Sequence, residues 1–509
     1  MHALIFSFSP HDLLIRSGGA HRIATHLRSQ GWDIEVVDFC ERWTYEEFIE
    51  LFKSRVTAKT KWIGISQFDF NDYGVSIAGI AFMKWIKDNY DMPIILGSQH
   101  IDRAYPHCDY IIAGYAENAI NALIAYLFGN GAPKPKMRTF RDVTFIDSNA
   151  DYVAHPWDDC SVLYEDRDFM HHNEFGTTEF SRGCRFKCKF CTTTILGVKG
   201  KTTRELYGIE HEIRHNYDKF GMKYYWLTDP TFNNEKGKIN LYGDIVESLP
   251  FEPYFIGFIR PDLLIRSEDE WEGLLRMRLL CHFYGIETFN SETAKFIGKG
   301  NPEMIKEGIV RVKDYFESKT DQYRAHLNMI AGLPYESKQS VLNTIDWIKK
   351  HWANTQPASM GPLEIQDESH PFRSNIALTY ENLGYKVINK TIDDMQTDEL
   401  KNAWNGLQAQ ETDEGIQRLG HNIFWENEYM DIYEAQVIAD KVDEHWKTKS
   451  GYNLKKLTAE ELHWTFCDEN GEPLSLEQRL SMRMGMMQPF IDNFEIFVNK
   501  YKQKKLNYR

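Results

Sequence analysis

Three cysteines carry the strongest chemical signal in the chain. Cys184, Cys188 and Cys191 lie in the run Gly183-Cys-Arg-Phe-Lys-Cys-Lys-Phe-Cys191, a CxxxCxxC pattern. With eight cysteines in 509 residues, chance gives this spacing roughly 0.002 times per chain. Thiolates are soft ligands that suit iron–sulfur centres. A cubane cluster on three protein thiolates keeps one iron open to bind and activate a small molecule, whereas a purely electron-carrying cluster usually takes four cysteines. Zinc wants a fourth Cys or His nearby, and none follows Cys191 closely. Cys160 and Cys281 keep no fixed spacing to the trio. The blander alternatives are a zinc knuckle lacking a ligand, or three unrelated thiols.

Such a loop needs a rigid platform. From residue 177 onward, strand-like runs at 177–181, 224–228, 254–259, 279–286, 325–331 and 362–366 alternate with helical stretches such as 204–219 and 337–351. Six β/α units predict a partial barrel over residues 176–370, with its site at the carboxyl ends of the strands. The cysteine run follows the first of these strands. Residues 1–130 read as an α/β domain of Rossmann-like type. Its strands fall at 3–7, 34–38, 62–66, 93–97 and 110–113, and its helices at 18–29, 75–89 and 117–128. That alternation predicts a parallel sheet covered on both faces, with ligands at the strand carboxyl ends. Residues 131–175 open with Gly-Ala-Pro-Lys-Pro-Lys and read as a linker. Residues 371–509 read as mainly helical.

Composition narrows the function classes. Hydrophobic residues make up 42% and aromatics 14%, enough for two or three packed cores. The formal net charge of -15 repels phosphate backbones and anionic lipid, which disfavours nucleic acid or a membrane surface as partner. The apolar runs at 4–8 and 94–96 are strand-length, against the ~20 residues a spanning helix needs. The N-terminus has no secretory pattern, so the cytoplasm is the expected compartment and the cysteines are expected as thiols or metal ligands.

Phe190 before the last cysteine, at the end of the first strand of an αβ run, makes the motif resemble the cluster loop of the radical S-adenosylmethionine (SAM) superfamily. The resemblance continues downstream, to the subset with an N-terminal cobalamin-binding-like domain. Leu227-Thr-Asp-Pro-Thr-Phe232 resembles its second-strand motif and Arg260-Pro-Asp262 its third. Gly285-Ile-Glu-Thr288 resembles its fourth, and Ile330-Ala-Gly-Leu-Pro-Tyr-Glu336 its fifth. The likeness covers residues 1 to about 370. It implies a 4Fe-4S cluster on the three cysteines, whose open iron chelates the amino and carboxylate groups of SAM. Phe190 would lie against the adenine. Asp229 would sit near the methionine ammonium, where the superfamily usually carries Gly-Gly-Glu. Arg260 belongs to the same cofactor set, Glu287 would accept from the ribose hydroxyls, and Gly332 and Leu333 would admit the adenine edge. The plain alternatives are a turn role for Asp229 before Pro230, a structural Arg260–Asp262 pair, and an ordinary strand-end carboxylate for Glu287.

Gly97-Ser-Gln-His100, followed by Cys108-Asp-Tyr-Ile-Ile-Ala-Gly-Tyr-Ala-Glu117, resembles the second half of the cobalamin-binding-like domain. Gly97 and Ser98 would face the ligand, and Gly114 would open the last helix. Families that bind cobalt through histidine carry Asp-x-His-x-x-Gly in the first loop. This chain has Pro10-His-Asp-Leu-Leu-Ile-Arg-Ser-Gly-Gly19, which puts His11 out of frame. Cobalamin would then bind without a histidine ligand, or the domain is vestigial. His100, His171 and His172 read as surface or hydrogen-bonded histidines rather than metal ligands.

The implied function is an enzyme that reductively cleaves SAM to a 5′-deoxyadenosyl radical and, with cobalamin, methylates an unreactive carbon. Radical cyclisation or rearrangement without cobalamin is the alternative, and a non-catalytic iron–sulfur redox sensor or electron carrier is the rival class. A methylthiotransferase is disfavoured, because Cys40, Cys108 and Cys160 are scattered. The implied partners are a small-molecule or peptide substrate and an electron donor such as flavodoxin or ferredoxin.

Overall fold

The computed structural model describes residues 1–450 apart from 9–14, 68–74, 99–102, 130, 141–142, 154, 157–159, 169–174, 193–202, 321, 353–357, 371–372, 409–416 and 419–421. The first sheet starts with β1 (His2–Phe8), β2 (Asp33–Val37), β3 (Thr60–Gln67) and β4 (Ile94–Ser98), followed by a two-residue β5 (Arg103–Ala104) outside it and by β6 (Tyr110–Ala113) within it. Every residue of β1 is buried, as a parallel strand covered on both faces requires. Helices α1 (Gly18–Ser29) and α4 (Glu117–Phe128) cover one face through Ala24, Leu27, Ile120 and Leu123. Helices α2 (Tyr45–Arg55) and α3 (Ile77–Asn89) cover the other through Phe48, Phe52, Phe82 and Ile86. The α2 segment goes unassigned in the sequence reading, although Thr44 and Glu47 close a capping box at its start.

The sheet extends into the span read as a linker. β7 (Arg138–Phe140) and β8 (Val143–Asp147) join it, in the order β2-β1-β3-β4-β6-β8-β7. β8 is parallel to β6, and β7 is antiparallel to β8. β7 is the edge strand and only three residues long, whereas β8 lies inside the sheet and buries Phe145 and Ile146, a short apolar run that follows the polar opening of the span. After α5 (Ser148–Asp151), residues 160–168 are stapled down by polar contacts. The buried Asp168 accepts from Arg28 Nη2 at 2.6 Å and Nη1 at 2.9 Å, and from the Val36 amide at 3.1 Å. The Val162 and Tyr164 amides donate to Glu212 and Asn216 at 2.8 and 3.1 Å.

The second sheet has six parallel strands whose spatial order follows the sequence: β9 (Gly176–Thr178), β10 (Tyr224–Leu227), β11 (Tyr254–Ile259), β12 (Leu279–Glu287), β13 (Arg324–Ala331) and β14 (Ala358–Pro362). Between them run α6 (Leu206–Phe220), α7 (Lys238–Ser248), α8 (Pro261–Arg266), α9 (Trp271–Arg276), α10 (Ser291–Ile297), α11 (Pro302–Lys319) and α12 (Lys338–His351). This is a partial barrel. The sixth strand precedes the expected 362–366 run, because Leu363 and Ile365 owe their apolar alternation to burial beyond the strand end.

The C-terminal region is mainly helical among the described residues, with α13 (Asn375–Thr379), α14 (Asp398–Gln408) and α15 (Ile432–Ser450). It also contributes three two-residue strands: β15 (Lys386–Val387), β16 (Gln417–Arg418) and β17 (Trp425–Glu426). Helix α15 packs along β14, and β16 pairs with β5 of the first domain. Among the described residues no helix is long and apolar enough to cross a membrane.

Candidate functional site

The cysteine loop leaves β9 through a turn at Gly183, whose φ of +69° suits a residue without Cβ. The Lys189 amide donates to Ile297 O at 3.2 Å, and Lys189 O accepts from the Ile376 amide at 2.9 Å. The loop is therefore held from the ends of α10 and α13. Cys184, Cys188 and Cys191 are all half-buried. Cys184 Sγ lies 3.4 Å from Thr231 Oγ1, and Cys188 Sγ accepts from Arg260 Nη1 at 3.5 Å. Among the described residues no three His, Cys, Asp or Glu side chains converge to hold one metal ion. A cluster on this trio would take one thiolate per iron, with the fourth iron open. A guanidinium aimed at sulfur suits a thiolate ligand as well.

Arg260 reaches further. Its Nε donates to Asp262 Oδ1 at 2.7 Å, its Nη2 donates to Gly298 O at 2.7 Å, and its guanidinium lies 3.9 Å from the Phe186 ring centroid. The Asp262 pair and the cluster-loop contact therefore coexist. Glu287 closes β12 with φ +68°, next to a register shift against β13. Such strain re-aims a side chain and is common at functional sites. Its Oε1 lies 3.1 Å from Lys299 Nζ, which also stands 5.7 Å from the Phe190 ring centroid. Lys299 joins the Glu287 carboxylate to the cluster loop.

Asp229 is engaged otherwise than the resemblance implies. It is fully buried, accepts from the Phe180 amide at 2.9 Å and from the Ser181 hydroxyl, and lies 4.0 Å from Lys238. Burial pushes its carboxyl above the ordinary range, against the pull of Lys238 and Ser181. Its oxygens brace β9 against β10 immediately before the cluster loop. Gly332 is covered as well. A Cβ there would come within 2.2 Å of Trp425, and Tyr385 donates its hydroxyl to Gly332 O at 2.7 Å. Trp425 stands where the adenine edge is expected, and Leu333 is fully buried.

A cavity of about 420 Å³ opens between the two sheets. Gly97, Ser98 and Gly114 line it from the first sheet, and Thr178, Glu179 and Asp229 from the barrel. It lies where the first sheet reverses strand order between β1 and β3, the usual ligand crevice of such sheets. Ser98 Oγ and Thr178 Oγ1 are buried without a hydrogen-bond partner among the described residues, and nothing lies within 4 Å of where a Cβ on Gly97 would be. Open space beside orphaned hydroxyls fits a ligand bearing amides or hydroxyls. No described residue lining the cavity is a histidine. His11, His100, His171 and His172 lie outside the described residues.

The cluster loop, its strand and the β/α units behind it coincide with a family match: residues 178–348 match the radical SAM superfamily. This stretch is a radical SAM domain. In sequence it resembles an uncharacterized methyltransferase of Pyrococcus horikoshii, 26% identical over 180 residues, covering 35% of this chain and 37% of that protein. It also resembles a hopanoid C-2 methylase of Rhodopseudomonas palustris, 25% identical over 240 residues, covering 45% of this chain and 43% of that protein. The chain thus spans less than half the length of the curated relatives it matches. In fold, the chain resembles the radical SAM methyltransferase TsrM of Kitasatospora setae, solved with cobalamin and a 4Fe-4S cluster. That likeness has a TM-score of 0.58 at 15% identity over 77% of this chain and 78% of that one. The cobalamin-dependent radical SAM enzyme OxsB matches at 0.53 and 13% identity, over 97% of this chain and 67% of that one. Lys299 and Trp425 escape a sequence reading, since neither belongs to a spaced motif, while Thr231 and Tyr115 lie inside the quoted motifs with no role of their own assigned there.

Proposed function

We propose that this protein is a radical SAM enzyme that methylates an unreactive carbon, with a corrinoid held between its two sheets. The carrying observation is one cavity that joins Gly97, Ser98 and Gly114 to Glu179 and Asp229, just past the ends of β9 and β10. The methylase relatives and the TsrM-like fold support the same reading. When bound, a 4Fe-4S cluster on Cys184, Cys188 and Cys191 supplies the electron for SAM cleavage, and a corrinoid supplies a transferable methyl group.

The chain's own residues bind, orient and exclude water. Arg260 donates to Cys188 and tempers the thiolate charge. Glu287 and Lys299 offer a carboxylate and an ammonium to a zwitterionic, hydroxyl-bearing ligand, with the Phe190 face beside them. Ser98 and Thr178 offer hydroxyls to a ligand in the cavity. Trp425, Tyr385 and α13 close the barrel from the C-terminal side and keep water out. The first loop carries Pro10-His11-Asp12 in place of Asp-x-His-x-x-Gly, so a corrinoid held here would take no imidazole ligand from that motif. A flavodoxin- or ferredoxin-type donor supplies electrons, and a small molecule or peptide is the substrate. A reducing cytoplasm suits both the thiols and that donor.

One observation favours a second reading. The cavity lies near the low end of the ~300–1,000 Å³ range for drug-sized ligands, and a corrinoid is larger. A radical ring closure or rearrangement that needs only SAM and the cluster is therefore the alternative. Anaerobic reconstitution with iron, sulfide and hydroxocobalamin, followed by SAM and dithionite, tests both. The methyltransferase reading expects 5′-deoxyadenosine, and a corrinoid retained through desalting without nitrogen hyperfine splitting from an imidazole. Loss of the corrinoid with continued 5′-deoxyadenosine release favours the second reading. An intact cluster with no SAM cleavage refutes both.

A further inference from the structure

The loop that ends the first sheet does more than line the cavity, because it grips the residues leading into the first cysteine. Tyr115 follows Gly114, and its hydroxyl accepts from the Gly183 amide at 3.3 Å. The Arg182 guanidinium lies 4.3 Å from the Tyr115 ring centroid. Glu117, at the first position of α4, accepts from Arg182 Nη2 at 2.5 Å and from Arg22 Nε at 3.0 Å. On its other side Arg182 Nε donates to both Glu179 oxygens, at 3.1 and 3.0 Å. Burial alone would raise the Glu117 carboxyl, but Arg182 and Arg22 together draw it well below the ordinary range. Arg182 and Gly183 are buried and precede Cys184 directly. The far side of the loop is tied to the barrel and C-terminal region through Lys189, so this arm is the one the first domain holds.

We propose that Tyr115 and Glu117 are positioning residues for the cluster, setting the placement of Cys184 from the neighbouring domain. Tyr115 acts through the Gly183 amide and Glu117 through Arg182. Glu117 and Arg182 also line the cavity, so a ligand filling it meets the side chains that place Cys184. The inference rests on the reading that Cys184, Cys188 and Cys191 hold the cluster.

The test uses the full chain, reconstituted anaerobically with iron and sulfide, as wild type, Tyr115→Phe and Glu117→Gln. Tyr115→Phe keeps the ring under Arg182 and removes only the acceptor. Glu117→Gln keeps the shape and removes the charge. The readouts are bound iron, the paramagnetic resonance spectrum of the reduced cluster, and the SAM concentration that half-converts that spectrum. The expected result is wild-type iron content, an altered spectrum before SAM is added, and a half-conversion point raised about tenfold, the scale of one lost hydrogen bond. A change in melting temperature with spectrum and titration unaltered marks a purely structural contact and overturns the proposal. If Glu117→Gln does not fold, Tyr115→Phe decides alone by the same readouts. A wild type that takes up no cluster overturns the cluster reading itself, and the positioning role falls with it.

Discussion

Arg260 divides its donors among a carboxylate, a carbonyl and a sulfur, and only a planar, forked cation can reach all three in this geometry. Arg260→Lys should therefore leave the cluster assembled but lower its midpoint potential, since hydrogen bonds to sulfur stabilise the reduced state. A redox titration giving the wild-type potential would show that the Cys188 contact is incidental. Replacing any one of Cys184, Cys188 or Cys191 by Ala should abolish SAM cleavage, measured as 5′-deoxyadenosine released. A variant that cleaves SAM at the wild-type rate would remove that cysteine from the ligand set. Glu336 is a different kind of group. It is buried, accepts from Thr288 Oγ1 at 2.5 Å, and burial pushes its carboxyl from 4.5 up to about 8. The folded chain keeps a proton there that the unfolded chain releases. Stability from this site is thus complete below about pH 4.5 and declines as pH rises toward 8. Glu336→Gln, neutral throughout, should gain on the wild type across that window by a few kcal/mol at most, at about 1.4 kcal/mol per pKa unit. Denaturant unfolding at both ends of the window measures it, and parallel pH profiles would rule out a protonated Glu336.

Elements that carry their own periodicity were legible before the structure. The strands β1 to β4, β6 and β9 to β13, with α1, α4, α6 and α12, follow alternation or helical spacing that depends on few distant residues. The cysteine loop was legible because three like residues on one short segment are improbable by chance. What was not legible depends on partners far along the chain. β7 is a three-residue edge strand and β8 a five-residue inner strand, both too short to stand out from the polar span around them, and the use of Asp229 depends on Ser181 and Lys238 arriving from neighbouring elements. Gly332 is the clearest case. Its motif places it at a strand end, but only Trp425 on β17 shows what it faces, and its φ of +83° excludes most side chains. Gly332→Ala should therefore destabilise by about 2–4 kcal/mol, backbone strain and overpacking acting together. Thermal unfolding reads this out, and a loss under about 0.5 kcal/mol, the scale of a surface change, would show that Trp425 moves aside easily.

At the scale of the whole molecule, residues 160–168 connect the two sheets without being slack. Asp168 is the fastening point, taking both Arg28 nitrogens and the Val36 amide into one buried carboxylate. Asp168→Ala takes from the buried Arg28 its nearest carboxylate, leaving Ile34 O and the more distant Glu165, and should cost about 3 kcal/mol, with proteolytic cleavage appearing near residue 168 before the sheets themselves unfold. Cleavage kinetics matching the wild type would show that the segment is held by other contacts. The pairing of β16 with β5 has a consequence in time. Arg103 and Ala104 leave the ribosome about 300 residues before Gln417 and Arg418 exist to meet them. At ~5–20 residues per second, a finished first sheet waits roughly 15–60 s with that strand open to any passing chain. Two residues, one of them an arginine, offer a stranger little to hold, and the brevity of β5 protects the nascent protein during that wait.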